Sequence, residues 1–176
     1  MKKNILITGV PGIGKTTLIR KILAQSADLN PVGFYTEEIR EDGIRRGFSL
    51  IDTEGARNVL SHDEIRSPFK VGKYGVALSG FEQFLDRIPF DEPGRRLLVI
   101  DEIGKMECFS RKFRELVAVL LSSDRPVVAT VAMKGAGLIA DVKARTDVEL
   151  IEITRDNRNN LPLYLLRAAS MNPNHE

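Results

Sequence analysis

The chain has 176 residues, 43% hydrophobic and 28% charged, the balance of a globular domain, which excludes disordered, collagen-like and disulfide-scaffold chains. At this length folding buries roughly 70% of the chain's surface, enough for one domain with its own core and too little for two. Lys and Arg total 26 against 24 for Asp and Glu, so a net charge of +2 gives no sign of a large nucleic-acid face, and the single Cys108 permits no intrachain disulfide and suits a reducing, cytoplasmic setting.

The opening Met1-Lys2-Lys3 and Ile5-Leu6-Ile7 resemble the start of a signal peptide, but the apolar run breaks at Thr8-Gly9 and no small-residue cleavage site follows. No stretch reaches the ~18 apolar residues that span a bilayer, so no membrane association is expected. Residues 4–8 (NILIT) read as a buried strand, and Leu18, Ile19, Ile22 and Leu23 mark one face of a helix over 15–24. Residues 33–40 and 44–52 are rich in β-branched and aromatic side chains and are joined by Glu41-Asp42-Gly43, so they form a predicted hairpin that Val59-Leu60 extends. Residues 61–80 hold Pro68 and several glycines without a clear period and read as loop.

Ser79-Gly80-Phe81-Glu82 matches a capping box. Phe81, Phe84, Leu85 and Ile88 continue it as a helix that Pro89 and Pro93-Gly94 end. Residues 96–101 form a second buried strand ending in an acid, and Phe113, Leu116, Val117, Leu120 and Leu121 mark a helix started by Ser110. Strands are predicted at 126–132 and 148–153, and a last helix at 161–169 with Pro162 in its first turn. Residues 171–176 read as a polar tail. Continuous apolar strands alternating with amphipathic helices predict a mostly parallel sheet covered on both faces, in one domain over 1–170 with an antiparallel hairpin inserted at about 32–61.

Gly9-Val10-Pro11-Gly12-Ile13-Gly14-Lys15-Thr16 fits G-x-x-x-x-G-K-[ST] without a mismatch, between a predicted strand and a predicted helix. Glycines let successive backbone N–H groups turn inward onto phosphate oxygens, and the helix N-terminus adds free donors and partial positive charge. Lys15 is expected to reach the β- and γ-phosphates and Thr16 to ligate Mg²⁺; Thr17 either touches the α-phosphate or simply opens the helix.

The strand Leu97-Leu98-Val99-Ile100 delivers Asp101 and Glu102 to its carboxyl end, where ligands of open α/β sheets sit. Asp101 is the second expected Mg²⁺ residue, acting through water. Glu102 is then free to polarise an attacking water, the alternative being a plain ion pair with Lys105. Lys105 is read either as a cationic stabiliser of the γ-phosphate or as a partner of Glu107. Cys108 reads as a small core residue, and His62 and His175 form no metal or nucleophile constellation.

GVPGIGKTT, GFYTEEIR…GFSLID, VGKYGV and LLVIDEIGKMECFSRKFREL together resemble the small nucleoside-triphosphatases first described from thermophiles, the family with the human cancer-related nucleoside-triphosphatase. The resemblance runs from about Asn4 to Arg158. It implies a three-layer RecA-like P-loop core and Mg²⁺-dependent hydrolysis of several nucleoside triphosphates, with Glu102 activating the water. It implies a nucleotide site made of residues 9–16 and of Leu98, Val99, Ile100, Asp101, Glu102, Ile103, Gly104 and Lys105. It also places Asn157-Arg158 near the base or ribose, although Asn159 stands where the family has an acid, and a helix-cap role competes. Tyr35 and Arg40 of the hairpin read as edge packing or as substrate contacts. The resemblance also implies broad base selectivity, and no N-K-x-D guanine reader occurs, so a dedicated GTP switch is not expected. A small-molecule or nucleotide kinase and a nucleotide-gated binding module are the competing readings.

Overall fold

A computed structural model describes residues 2–170; the predicted tail, 171–176, lies outside the described residues. Nine strands form one sheet: β1 (Asn4–Thr8), β2 (Pro31–Glu41), β3 (Ile44–Asp52), β4 (Arg57–His62), β5 (Lys70–Val71), β6 (Tyr74–Val76), β7 (Leu97–Ile103), β8 (Val127–Val131) and β9 (Val148–Glu152). Among the described residues five α-helices accompany them: α1 (Lys15–Gln25), α2 (Leu78–Arg87), α3 (Arg111–Ser122), α4 (Leu138–Ala144) and α5 (Leu161–Ser170). The strand order is β5-β6-β4-β3-β2-β7-β8-β1-β9. β2, β7, β8, β1 and β9 run parallel, as continuous apolar strands require.

Alternate residues of each parallel strand enter opposite layers. Leu6, Leu98 and Ile100 pack with Phe81, Phe113, Val117 and Ile139 of α2, α3 and α4. Ile5, Ile7, Leu97 and Val99 pack with Leu18, Ile19 and Ile22 of α1 and Leu165 of α5. This is the expected three-layer core. Phe34 anchors the first layer, with the rings of Phe81, Phe84 and Phe113 edge-on at 6.1, 6.0 and 6.3 Å. Ser110 starts α3 as predicted, its Oγ accepting from the Phe113 N–H at 3.0 Å.

The predicted antiparallel hairpin forms as β2 and β3, with β2 also a strand of the parallel sheet and the antiparallel part continuing through β4, β6 and β5 to Val76. Three sequence expectations need correction. Residues 61–80 contain two strands, too short for any period to show. The capping box fails because Ser79 lies inside α2, whose cap is Ala77, and Glu82 accepts from the Ser110 hydroxyl at 2.7 Å instead. Finally, α4 carries no predicted element, since its seven residues give barely two helical turns of pattern.

β2 meets β7 very closely at Gly33, where a Cβ would lie 1.8 Å from the Val99 carbonyl oxygen. Gly33→Ala is accordingly expected to cost at least about 4 kcal/mol, whereas Gly43→Ala, in the open hairpin turn at φ 77°, costs only about 1–2 kcal/mol. Urea denaturation of both variants checks this, and equal losses would contradict the close approach.

Candidate active site

The phosphate loop closes tightly between β1 and α1. Gly12 and Gly14 hold φ of 77° and 111°, a region where any Cβ is strained, and Gly14 directly precedes the helix. No side chain caps α1 and no acid sits in its first turn, so the leading N–H groups remain available to an anion. Gly9, Pro11, Gly12, Gly14, Lys15, Thr16 and Thr17 line a cleft of about 900 Å³. The Lys15 ammonium donates to the Gly9 carbonyl at 3.2 Å, folded back on its own loop. Val10 is half exposed at the loop tip, and Ile13 turns to the opposite side, into a separate recess.

Across β8, the end of β7 brings the acids to this loop. The Thr16 hydroxyl donates to Asp101 Oδ2 at 2.7 Å. Thr130 of β8 donates its hydroxyl to Asp101 Oδ1, and the Thr36 N–H and hydroxyl approach Oδ2 at 3.4 Å each. Asp101 is buried, and burial raises its pKa against the opposing hydrogen bonds of Thr130, Thr16 and Thr36 and the charge of Lys15. The Asp101–Glu102 peptide is cis. Glu102 lines the cleft with no hydrogen bond or ion pair to another described side chain. Burial raises its pKa, Lys15 and Lys143 oppose that, and Asp101 adds to it.

Magnesium takes oxygen ligands. Thr16 gives its hydroxyl hydrogen to Asp101, which leaves its oxygen lone pairs open toward the cleft. Both Asp101 oxygens already accept hydrogen bonds, so Asp101 suits a place behind Thr16 and metal-bound water better than direct ligation. The donors present fit a hard divalent ion.

Several expected residues fall elsewhere. Leu98, Val99, Ile100 and Ile103 are fully buried in the two core layers and present no surface to a ligand. That follows from a strand covered on both faces, which exposes only its end. Lys105 is exposed and lines a neighbouring chamber, not the triphosphate cleft. It makes no ion pair with Glu102 or Glu107 among the described residues; the cations acting on Glu102 are Lys15 and Lys143. Glu107 is buried, and Cys108 is half-buried against the core with its thiol pushed up to about 12 by burial, which suppresses the thiolate.

Asn157 serves its own turn, accepting from the Thr154 N–H and donating to the Glu152 carbonyl, both at 2.8 Å. Arg158 and Asn159 line a recess of about 360 Å³ beside Gly12 and Gly14. Arg40 pairs with Glu38 at 2.6 Å on the exposed hairpin, and Tyr35 packs under Arg20 with 5.8 Å from guanidinium to ring centroid, so both favour edge packing.

Thr36, Thr130 and Lys143 lie at the site and were invisible in the sequence, whereas Arg45 reads there only as a candidate lid arginine under the kinase alternative. Arg45 lines the cleft from β3, held by Glu38 at 3.0 Å. Lys143 donates to the carbonyls of Ala132 and Met133 at 2.6 and 2.8 Å. The one available signal was positional: Thr36 and Thr130 sit where parallel strands end.

The family model described as "NTPase" matches residues 4–166. A nucleoside-triphosphatase THEP1 from Thermotoga sp. (strain RQ2) is 45% identical over 175 residues, covering 96% of this chain and 97% of the relative. The crystal structure of THEP1 from the hyperthermophile Aquifex aeolicus superposes with a TM-score of 0.83 at 38% identity, covering 93% of this chain and 97% of that one. The solution structure of a human cancer-related nucleoside triphosphatase gives 0.81 at 34% identity, covering 98% and 100%.

Burial makes the Glu107 carboxyl hold its proton up to about 8. An unfolded Glu titrates near about 4.3, so between these values the native state binds more protons, and the group's contribution to stability falls as pH rises through the window. Glu107→Gln is expected to remove that slope and gain about 2–5 kcal/mol relative to the parent between about pH 5 and about pH 8. Urea melts at both pH values check it; the same stability difference at each would contradict a protonated Glu107.

Proposed function

The chain belongs to the NTPase family, and from that premise we propose that it hydrolyses nucleoside triphosphates to the diphosphate and inorganic phosphate, with magnesium and with little selection among bases. The observation that carries this reading is the Thr16–Asp101 hydrogen bond, because it ties the phosphate loop to the strand end that bears the unpaired Glu102. Arg158, lining the side recess with Gly12 and Gly14, supports that recess as the seat of the nucleoside end. The lone Cys108 suits a cytoplasmic setting.

The loop N–H groups receive the β- and γ-phosphate oxygens, and Lys15 exchanges the Gly9 carbonyl for them. The Thr16 hydroxyl, with Asp101 behind it, would hold a magnesium ion arriving with the triphosphate, and that ion would supply positive charge to offset the phosphate charge. Glu102 takes a proton from the attacking water as its oxygen bonds to the γ-phosphorus. The bond to the bridging oxygen breaks, and the diphosphate leaves with that electron pair. Thr130 and Thr36 fix the Asp101 carboxylate, so Thr16 keeps its orientation through the step.

Glu102→Gln is expected to keep the affinity for a magnesium–triphosphate analogue while lowering kcat by about 10²–10⁴. Calorimetry of analogue binding beside a phosphate-release assay checks both halves. Undiminished turnover would remove Glu102 from its assigned role.

A further inference from the structure

The space around Glu102 is larger than water needs. A side chamber of about 250 Å³ shares Thr36, Phe48, Glu102 and Ala132 with the triphosphate cleft. The rest of its wall is Leu60, Val71, Gly104 and Met106, with Lys105 and the buried carboxyl of Glu107. Val71 and Lys105 also line an outer recess of about 440 Å³ that takes in Lys70 and Phe109. Together the two spaces fall within the range of about 300–1,000 Å³ common to small-molecule sites.

The charges along this route are sorted. Lys70 and Lys105 line the outer recess, and neither ammonium has an ion pair or hydrogen bond with another described residue. Glu102 lines both the chamber and the triphosphate cleft and takes no part in the outer recess. The walls come from β3, β4 and β5, which contribute nothing to the phosphate loop, and from the turn after β7. Phe69 and Phe109, with ring centroids 5.3 Å apart, clamp that turn to the antiparallel part of the sheet. Hydrolysis alone leaves this construction without a purpose.

We propose that the chamber is a phosphoryl-acceptor site for a small hydroxylated carboxylic acid. Its apolar body lies against Leu60, Val71 and Met106, its carboxylate turns to Lys70 and Lys105, and its hydroxyl meets Glu102. The proposal rests on the reading that a γ-phosphate reaches Glu102. The acceptor hydroxyl gives its proton to Glu102 while its oxygen bonds to the γ-phosphorus. The bond to the β,γ-bridging oxygen breaks, the diphosphate departs with the electron pair, and the product is a phosphate monoester. Glu102 then returns its proton to solvent. With no acceptor bound, water occupies the same position and hydrolysis results.

The test is ³¹P NMR of the full chain turning over ATP with magnesium, with 3-phenyllactate, pantoate and 4-hydroxybenzoate as probes. A monoester signal is expected with at least one probe, with diphosphate formed about tenfold faster than with water alone. Val71→Trp, which fills the chamber mouth outside the triphosphate cleft, is expected to lose the monoester and keep the probe-free release of phosphate. Lys70→Glu, an exposed change, is expected to raise the KM for the probe with the same basal rate. Phosphate release with no monoester from any probe overturns the acceptor site and leaves hydrolysis intact. Monoester formation unchanged in both variants overturns its placement. Neither phosphate release nor monoester in the parent chain overturns the underlying reading.

Discussion

One hydrogen bond organises the molecule: the Thr16 hydroxyl on α1 to the Asp101 carboxylate at the end of β7, 85 residues away. The two motifs do not sit on adjacent strands, because β8 runs between β1 and β7. β8 answers this by supplying Thr130, which binds the other Asp101 oxygen. β2, on the far side of β7, supplies Thr36. A carboxylate this deeply buried is costly unless its oxygens are satisfied, and three threonines from three elements satisfy them. The result is a fixed acid that orients Thr16, next to an unpaired Glu102 in the cleft. The two acids differ in burial, since Asp101 is enclosed by donors and Glu102 faces the cleft.

The antiparallel part of the sheet has a different purpose from the parallel part. The parallel strands bury both faces and place loops and acids at one end. β3 through β6 extend beyond the site and wrap its flank, contributing Arg45 and Phe48 to the cleft and Leu60 and Val71 to the chamber beside it. The close approach of β2 to β7 at Gly33 joins the two regions into one sheet.

The parallel core was readable from residues alone because its signals are long and redundant: unbroken apolar strands, helices with clear faces, and a phosphate loop whose every position has a stereochemical reason. Asp101 and Glu102 were readable because two charged groups at the end of an apolar strand are costly to bury and so mark a place where charge is used. What escaped was short or non-local. β5 has two residues and β6 three, below any periodicity. The capping box at Ser79 failed because tertiary packing gave Glu82 to Ser110. Thr36, Thr130 and Lys143 reach the site only through strand order and a short helix, which no local pattern encodes. The family resemblance implied that Leu98 to Ile100 line the nucleotide site, yet a strand buried on both faces offers only its terminus. The same limit applies to Lys105, which follows Glu102 by three positions but faces another chamber.

A crystal structure of the chain with a magnesium complex of a non-hydrolysable triphosphate is the most direct test. The expected result is the terminal phosphate under the Gly12–Thr16 N–H groups, the metal on the Thr16 hydroxyl, and Glu102 one water molecule from the γ-phosphorus. A terminal phosphate turned away from Glu102, with Thr16 still closed on Asp101 and no metal between them, would contradict it.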